Sequence, residues 1–146
     1  MPLPDDAVEA RAQGWRTLAA LHSKIEDRLE KALQSGYDLS VSEYSVLDVL
    51  VRQDGWHMRM QQLARAVVLS QSATTRLVTR LESRGLLSRY LCEDDRRGIY
   101  TEVTPAGRGL LDQAKPVHDT ALKEALAEAA EIPELAPLAA TIEARV

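Results

Sequence analysis

Residues 70–107 read SQSATTRLVTRLESRGLLSRYLCEDDRRGIYTEVTPAG, and this stretch decides the fold. Ser70 stands before the amphipathic run 71–84 as an N-cap, and Gly85 stands behind it as a terminator. Leu87–Cys92 and Ile99–Val103 alternate like strands, with Ile99, Thr101 and Val103 facing one side. The charged run Glu93-Asp-Asp-Arg-Arg-Gly98 reads as the turn between them. Thr104-Pro105 is a cap followed by proline at the first helical position. Helix, strand, charged tip, strand and new helix follow without spare residues, which predicts a winged helix-turn-helix.

Working outward, Gln61 to Val67 reads as a short helix with Leu63, Ala64 and Val67 inward. Arg59-Met60 precedes it as an extended link, and Val68-Leu69-Ser70 connects it tightly to the next helix. Upstream, Ser40 caps a helix whose Glu43 completes a capping box, while Leu39 and Tyr44 have the spacing of a hydrophobic staple. Val46, Leu47, Leu50 and Val51 form its buried side, and Gly55 ends it. Residues 8 to 34 predict one long helix, closed by Gly36, with Trp15, Leu18, His22, Ile25, Leu29 and Leu33 on one apolar stripe. Lys24, Asp27, Arg28 and Lys31 occupy its other face. A single-striped helix of this length needs a partner, and a second copy of the chain would serve. Downstream, Leu111, Ala114, Val117, Ala121, Leu122, Ala125 and Leu126 stripe a helix over 105–130, which Pro116 should kink or split. Pro133 and Pro137 mark the start of a last short helix near 134–145. The fold class is mainly α with a small β-hairpin wing.

The chain has 146 residues and a net charge of −4, enough for one domain with a core. Its charge is blocked. Residues 1–58 carry 6 basic and 10 acidic groups, residues 59–97 carry 8 and 4, and residues 98–146 carry 4 and 8. All eight basic groups of the centre are arginine. A positive centre between acidic ends suits a chain whose centre alone meets phosphate, not one that coats nucleic acid. No apolar run approaches the ~20 residues that span a bilayer. The acidic, polar N-terminus reads as neither a signal nor a transit peptide. The single cysteine excludes an internal disulfide framework and fits a reducing cytoplasm. No nucleophile elbow, HExxH, P-loop or dinucleotide fingerprint suggests an enzyme or a cofactor. His22, His57 and His118 have no metal-ligand spacing.

The helix 71–84 turns Ala73, Leu77 and Leu81 to one face and Ser72, Thr75 and Thr79 to the other, with Gln71 and Arg76 beside them. Glu82 is its one carboxylate. A helix of this size fits the major groove of B-DNA. Gln71, Ser72, Thr75 and Arg76 are the expected readers, since Gln pairs with adenine, Arg with guanine, and a Thr methyl meets a thymine methyl. Ser70 and Thr74 complete the set at the helix N-terminus, and Arg80, nearer the buried face, is placed to reach a phosphate. Arg96 and Arg97 at the hairpin tip suit a narrow minor groove. Asp95 beside them can fix an arginine by a bidentate pair. The competing reading is a winged helix used only for protein contact, which has no need of Arg76, Arg80, Arg96 and Arg97 together.

Leu39-Ser-Val-Ser-Glu-Tyr-Ser-Val-Leu47, Gln62-Leu-Ala64, Ser70 to Leu87 and Asp95-Arg-Arg-Gly-Ile-Tyr-Thr-Glu-Val-Thr-Pro-Ala-Gly107 together resemble the MarR family of transcriptional regulators, over roughly residues 10 to 130. Val103 stands where leucine is usual. The resemblance implies a homodimer with an intertwined helical dimerisation region. Residues 1–36 and 105–146 would dimerise, and residues 37–104 would form the winged DNA-binding domain. It also implies binding to a pseudo-palindrome in double-stranded DNA, commonly as a repressor released by a small aromatic or phenolic ligand. Half-sites are then expected about one helical turn apart. By position, 71–84 is the recognition helix, Arg97 the minor-groove arginine and Asp95 its buttress. The family's ligand crevice makes Trp15, His22, Tyr44 and His118 the candidate contacts, although His22 also reads as an interface histidine and Tyr44 as a staple. Thiol-based peroxide sensors of the family carry a cysteine in the first helix. This chain has only Cys92, flanked by Glu93 and Asp94, whose charge disfavours the thiolate. Urate-responsive members carry an aspartate where this chain has Ser45.

Overall fold

The computed structural model describes residues 5–92 and 95–144, with side chains for 6–91 and 98–144. Among the described residues the α-helices and strands run in the order α1 (Asp5–Tyr37), α2 (Val41–Val51), β1 (His57–Arg59), α3 (Met60–Ala66), α4 (Gln71–Ser83), β2 (Leu87–Cys92), β3 (Asp95–Val103), α5 (Pro105–Ala130) and α6 (Ala136–Glu143), with one 3-10 turn, Asp54–Trp56, before β1. The chain divides into two units, one of residues 33–116 and one of the remaining ends.

The 33–116 unit holds the larger core. Leu33, Leu39, Leu47, Leu50, Leu63, Val78, Leu81, Leu87 and Val103 are buried in it, from α1, α2, α3, α4 and the sheet. The helix-turn-helix brings α3 against α4, and the sheet packs behind them. In the other unit, Leu21 of α1 packs with Leu126, Ala129, Leu135 and Ala139. Arg28 there pairs with Glu124 and Glu128.

The predicted caps are present. Ser40 and Glu43 form the reciprocal capping box, and the Ser70 side chain accepts from the Ala73 N–H. Gly85 takes φ 76° after α4, the left-handed turn that glycine allows.

Several expectations need correcting. Gly36 lies inside α1, and Asp38 makes the left-handed exit instead, at φ 50°. The Leu39 N–H then reaches back to the Leu33 carbonyl at 3.4 Å, while Leu33 and Leu39 both bury fully. That apolar contact is what usually accompanies such a C-terminal wrap. Arg59 ends a strand rather than forming a link: β1 pairs antiparallel with β3, giving the order β1-β3-β2. Three residues are too short to show a period of two. The second wing strand begins at Asp95, not Ile99, with Asp95 opposite Cys92 after a register shift. The charged run 95–98 is therefore strand, because ladder hydrogen bonds do not depend on which side chains face solvent. Pro116 does not split α5. Its ring removes one N–H, yet Asp112, four residues back, is exposed, so water can satisfy the freed carbonyl.

The turn between α3 and α4 holds a strained residue. Val68 has φ 57° and is 86% exposed. A β-branched side chain is a genuine outlier there, at a cost of about 1–2 kcal/mol. Val68→Gly removes that cost and pays about 0.5–1 kcal/mol of unfolded-chain entropy. The variant is expected to gain up to about 1.5 kcal/mol, read as a higher denaturation midpoint at unchanged slope. A lower midpoint would show that the Val68 side chain contributes contacts that outweigh its strain.

Candidate nucleic-acid interface

α4 presents Gln71, Ser72, Thr75, Arg76, Thr79 and Arg80 to solvent, and buries Thr74, Val78 and Leu81. Local bonding orders this face. The Thr75 hydroxyl donates to the Gln71 carbonyl at 2.8 Å, and the Thr79 hydroxyl to the Thr75 carbonyl at 2.8 Å. Each leaves its methyl and the oxygen lone pairs for an outside partner. Ser70 Oγ lies 3.3 Å from Ser72 Oγ as well as capping the helix.

Thr74 is the correction in this set. It is fully buried and its hydroxyl donates to the Ser70 carbonyl at 2.8 Å. The inward face is centred on Thr74, Val78 and Leu81, not on Ala73, Leu77 and Leu81, so no Thr74 side-chain atom is available to DNA.

The arginines divide by partner. Arg84 donates to the Asp38 carbonyl at 2.7 Å and the Tyr37 carbonyl at 3.1 Å, tying the end of α4 to the α1–α2 corner. Arg89 pairs with Glu82 at 2.9 Å. That guanidinium bond, with a second from the Arg89 backbone N–H, holds the Glu82 carboxyl below its ordinary value. Arg80 lies 3.4 Å from Asp38 and 3.3 Å from Glu43. Arg76 has no ion-pair partner among the described residues, and it sits on the exposed face of α4. The side chains of Asp95, Arg96, Arg97 and Cys92 lie outside the described ones, so the expectations placed on them stand on sequence.

A cleft of about 290 Å³ joins this face to the wing, lined by Arg59, Met60, Gln61, Gln71, Thr75, Arg89 and Ile99 among others. Arg59, Gln61 and Arg89 were not among the sequence candidates. The Arg59 Nε donates to the Tyr100 hydroxyl at 3.1 Å, and its guanidinium lies 5.7 Å from that ring's centre. Tyr100 stacks on Tyr90 at 5.8 Å, and Tyr90 bonds the His57 ring. This aromatic brace stiffens the sheet from which Arg59 projects. The signal that could have found it is alternation across a third strand, which β1 is too short to supply.

The ligand candidates fall in different places. Trp15 is 69% exposed on α1. His22, also exposed, lies 3.5 Å from Glu26, and His118 lies 3.0 Å from Asp119. These three belong to the unit made of the chain ends, whereas Tyr44 is buried in the core of the 33–116 unit. Among the described residues no group of His, Cys, Asp and Glu is arranged to hold a metal ion, and no helix is long and apolar enough to cross a membrane.

The family model for MarR matches residues 37–98. A transcriptional regulator of the MarR family from Rhodococcus sp. RHA1, known from its crystal structure, is 33% identical with a TM-score of 0.66, over 71% of each chain. MhqR of Bacillus subtilis (strain 168), an HTH-type transcriptional regulator, is 28% identical over 107 residues, which is 73% of this chain and 72% of that protein. Sco3205, a MarR family transcriptional regulator from Streptomyces coelicolor in complex with DNA, has a TM-score of 0.77 at 27% identity, covering 88% of this chain and 79% of its own. CouR from Rhodococcus jostii RHA1, bound to p-coumaroyl-CoA, is 34% identical with a TM-score of 0.64, over 71% of each chain.

Proposed function

The chain belongs to the MarR family of transcriptional regulators, and from that premise we propose that it binds a pseudo-palindromic operator as a homodimer and lets go when a small ligand binds. It is a DNA-binding regulator with a winged helix fold. The observation that carries the finer reading is the exposed first half of α4, where Gln71, Ser72, Thr75 and Arg76 stand together without a carboxylate. Ser70 sets the start of that helix, and Arg80 borders it. Asp95, Arg96 and Arg97 take the minor groove in this reading, on sequence grounds. Residues 37–104 form the DNA-binding domain, and the helices of 1–36 and 105–146 form the dimer. Trp15, Leu18 and Val8 are half or more exposed along α1, an apolar stripe that a second chain would cover.

CouR's aromatic acyl thioester supports an aromatic or phenolic ligand here, with Trp15, His22 and His118 of the chain-end unit as candidate contacts. Catalysis forms no part of this reading, and the regulator acts in the cytoplasm, where its DNA is. Fluorescence anisotropy against DNA from upstream of the chain's own gene, with a scrambled duplex as control, tests it. Tight binding to the native duplex at two chains per site is expected. Failure to bind either duplex at low salt would favour a protein-interaction module.

Arg97→Ala is expected to weaken binding and to flatten the dependence of log K on log salt by about one unit per chain. The dimer, read by light scattering, should be unchanged. An unaltered slope would take Arg97 out of the interface.

A further inference from the structure

Glu43 sets the problem. It is fully buried, and its Oε1 accepts the Ser40 N–H at 2.8 Å as half of the α2 capping box. Its Oε2 accepts no hydrogen bond; instead the Arg80 Nε makes an ion contact at 3.3 Å. A buried carboxylate needs a cation to remain charged, so one edge of the Arg80 guanidinium is committed to the interior. Arg80 is nevertheless half exposed. Its Nη2 lies 3.4 Å from Oδ1 of Asp38, a side chain that is 69% exposed.

Asp38 owes its position to something other than Arg80. The left-handed exit from α1 places it, and Arg84 holds its carbonyl at 2.7 Å. Its side chain is therefore presented to Arg80 by the backbone. Arg80 also lines a cleft that it shares with Ser40 and Ser42 before and in α2 and with Arg76 and Leu77 of α4. This cleft lies along the edge of the reading face, where a DNA backbone would pass.

We propose that Asp38 is a built-in competitor for DNA: it occupies the outer face of Arg80 in the free protein and yields it to a backbone phosphate on binding, while Glu43 anchors the guanidinium in both states. Arg80 is then a positioning arginine and Asp38 its brake. The inference rests on the DNA-binding reading above. The exchange is easy because an exposed pair at this distance is weak, whereas a phosphate takes charge-assisted hydrogen bonds from Nη2 without disturbing Nε.

Asp38→Asn tests the brake. Asparagine tolerates the left-handed region, and the backbone bonds from Arg84 are untouched, so the fold should hold in a thermal melt. The variant is expected to bind DNA about two- to fivefold tighter per chain at low salt, from the typical strength of an exposed ion pair. The gain should be equal on operator and scrambled duplexes, because a phosphate carries no sequence information. The same substitution is then made in a Glu43→Gln/Arg80→Gln background, which keeps the capping box and strands no buried charge. There the gain should vanish. An equal gain in that background would mean that Asp38 acts as bulk negative charge, overturning the competition. No gain in either background would overturn the brake while leaving wild-type DNA binding in place. A gain confined to the operator would make Arg80 a base reader instead. Wild-type protein that binds neither duplex would remove the premise itself.

Discussion

Arg76→Ala is expected to cost about 1–3 kcal/mol at each half-site, so roughly 2–6 kcal/mol for a dimer on its operator. The size follows from what surrounds Arg76. Arg80, Arg84 and Arg89 all have partners within the protein, and DNA must compete with those partners. Arg76 has no ion-pair partner among the described residues, so its guanidinium reaches a guanine edge or a phosphate without breaking a bond first. It projects from the half of α4 that also carries Gln71, Ser72 and Thr75. The substitution should leave stability within about 0.5 kcal/mol, since the site is exposed and alanine is the better helix former. Anisotropy titrations on a set of operators, each changed at one symmetric base pair, separate the two roles. A base reader loses its preference at one position, whereas a phosphate contact weakens every duplex alike. If Arg76→Ala binds all of them as wild type does, the reading face has been placed on the wrong side of α4.

That contrast among arginines marks the boundary of what the sequence could say. The winged fold was legible because caps, glycines and strand alternation in 70–107 all pointed one way, and such agreement between levels is what specifies a fold. The positive centre was legible too, but only as a sum. Which of its arginines are structural depends on residues far along the chain: Asp38 meets Arg80 and Arg84 across more than forty positions. Glu82 and Arg89 meet only because Gly85 turns the chain back into β2. Thr74 was misassigned for a different reason. A threonine can lie on either face of a helix, because its hydroxyl bonds the carbonyl four residues back and its methyl packs. Periodicity therefore left the centre of the buried face one residue off. The Arg59 brace was invisible for want of length in β1. The wing tip itself rests on sequence alone, which is why Arg97→Ala matters.

Gly107→Ala is the second large effect, and it falls on stability. A Cβ built at Gly107 would lie 2.3 Å from the Leu86 carbonyl oxygen and 2.8 Å from Val103 Cγ2. Neither neighbour can give way cheaply. Leu86 is a buried residue at the start of the wing, its carbonyl accepts the Thr104 N–H at 3.0 Å, and Val103 is buried in the core of the 33–116 unit. The Thr104 hydroxyl fastens the same corner, donating to the Gly85 carbonyl at 2.7 Å and accepting from the Gly107 N–H at 3.1 Å. The first turn of α5 thus lies directly against the chain entering β2, and only a residue without a side chain permits that approach. An added methyl forces backbone movement, and overpacking of this kind costs about 1–3 kcal/mol or somewhat more. For a chain of this length the melting temperature should fall by roughly 3–10 °C. Gly109→Ala, two residues on in the same helix, is the matched control. Nothing lies within 4 Å of its added Cβ, so helix propensity alone should raise stability by up to about 1 kcal/mol. Opposite signs at two glycines of one helical turn would locate the cost in the contact with Leu86. A loss of the same size at both would instead point to a glycine requirement of the helix itself, and the wing would then owe nothing to the closeness of that crossing.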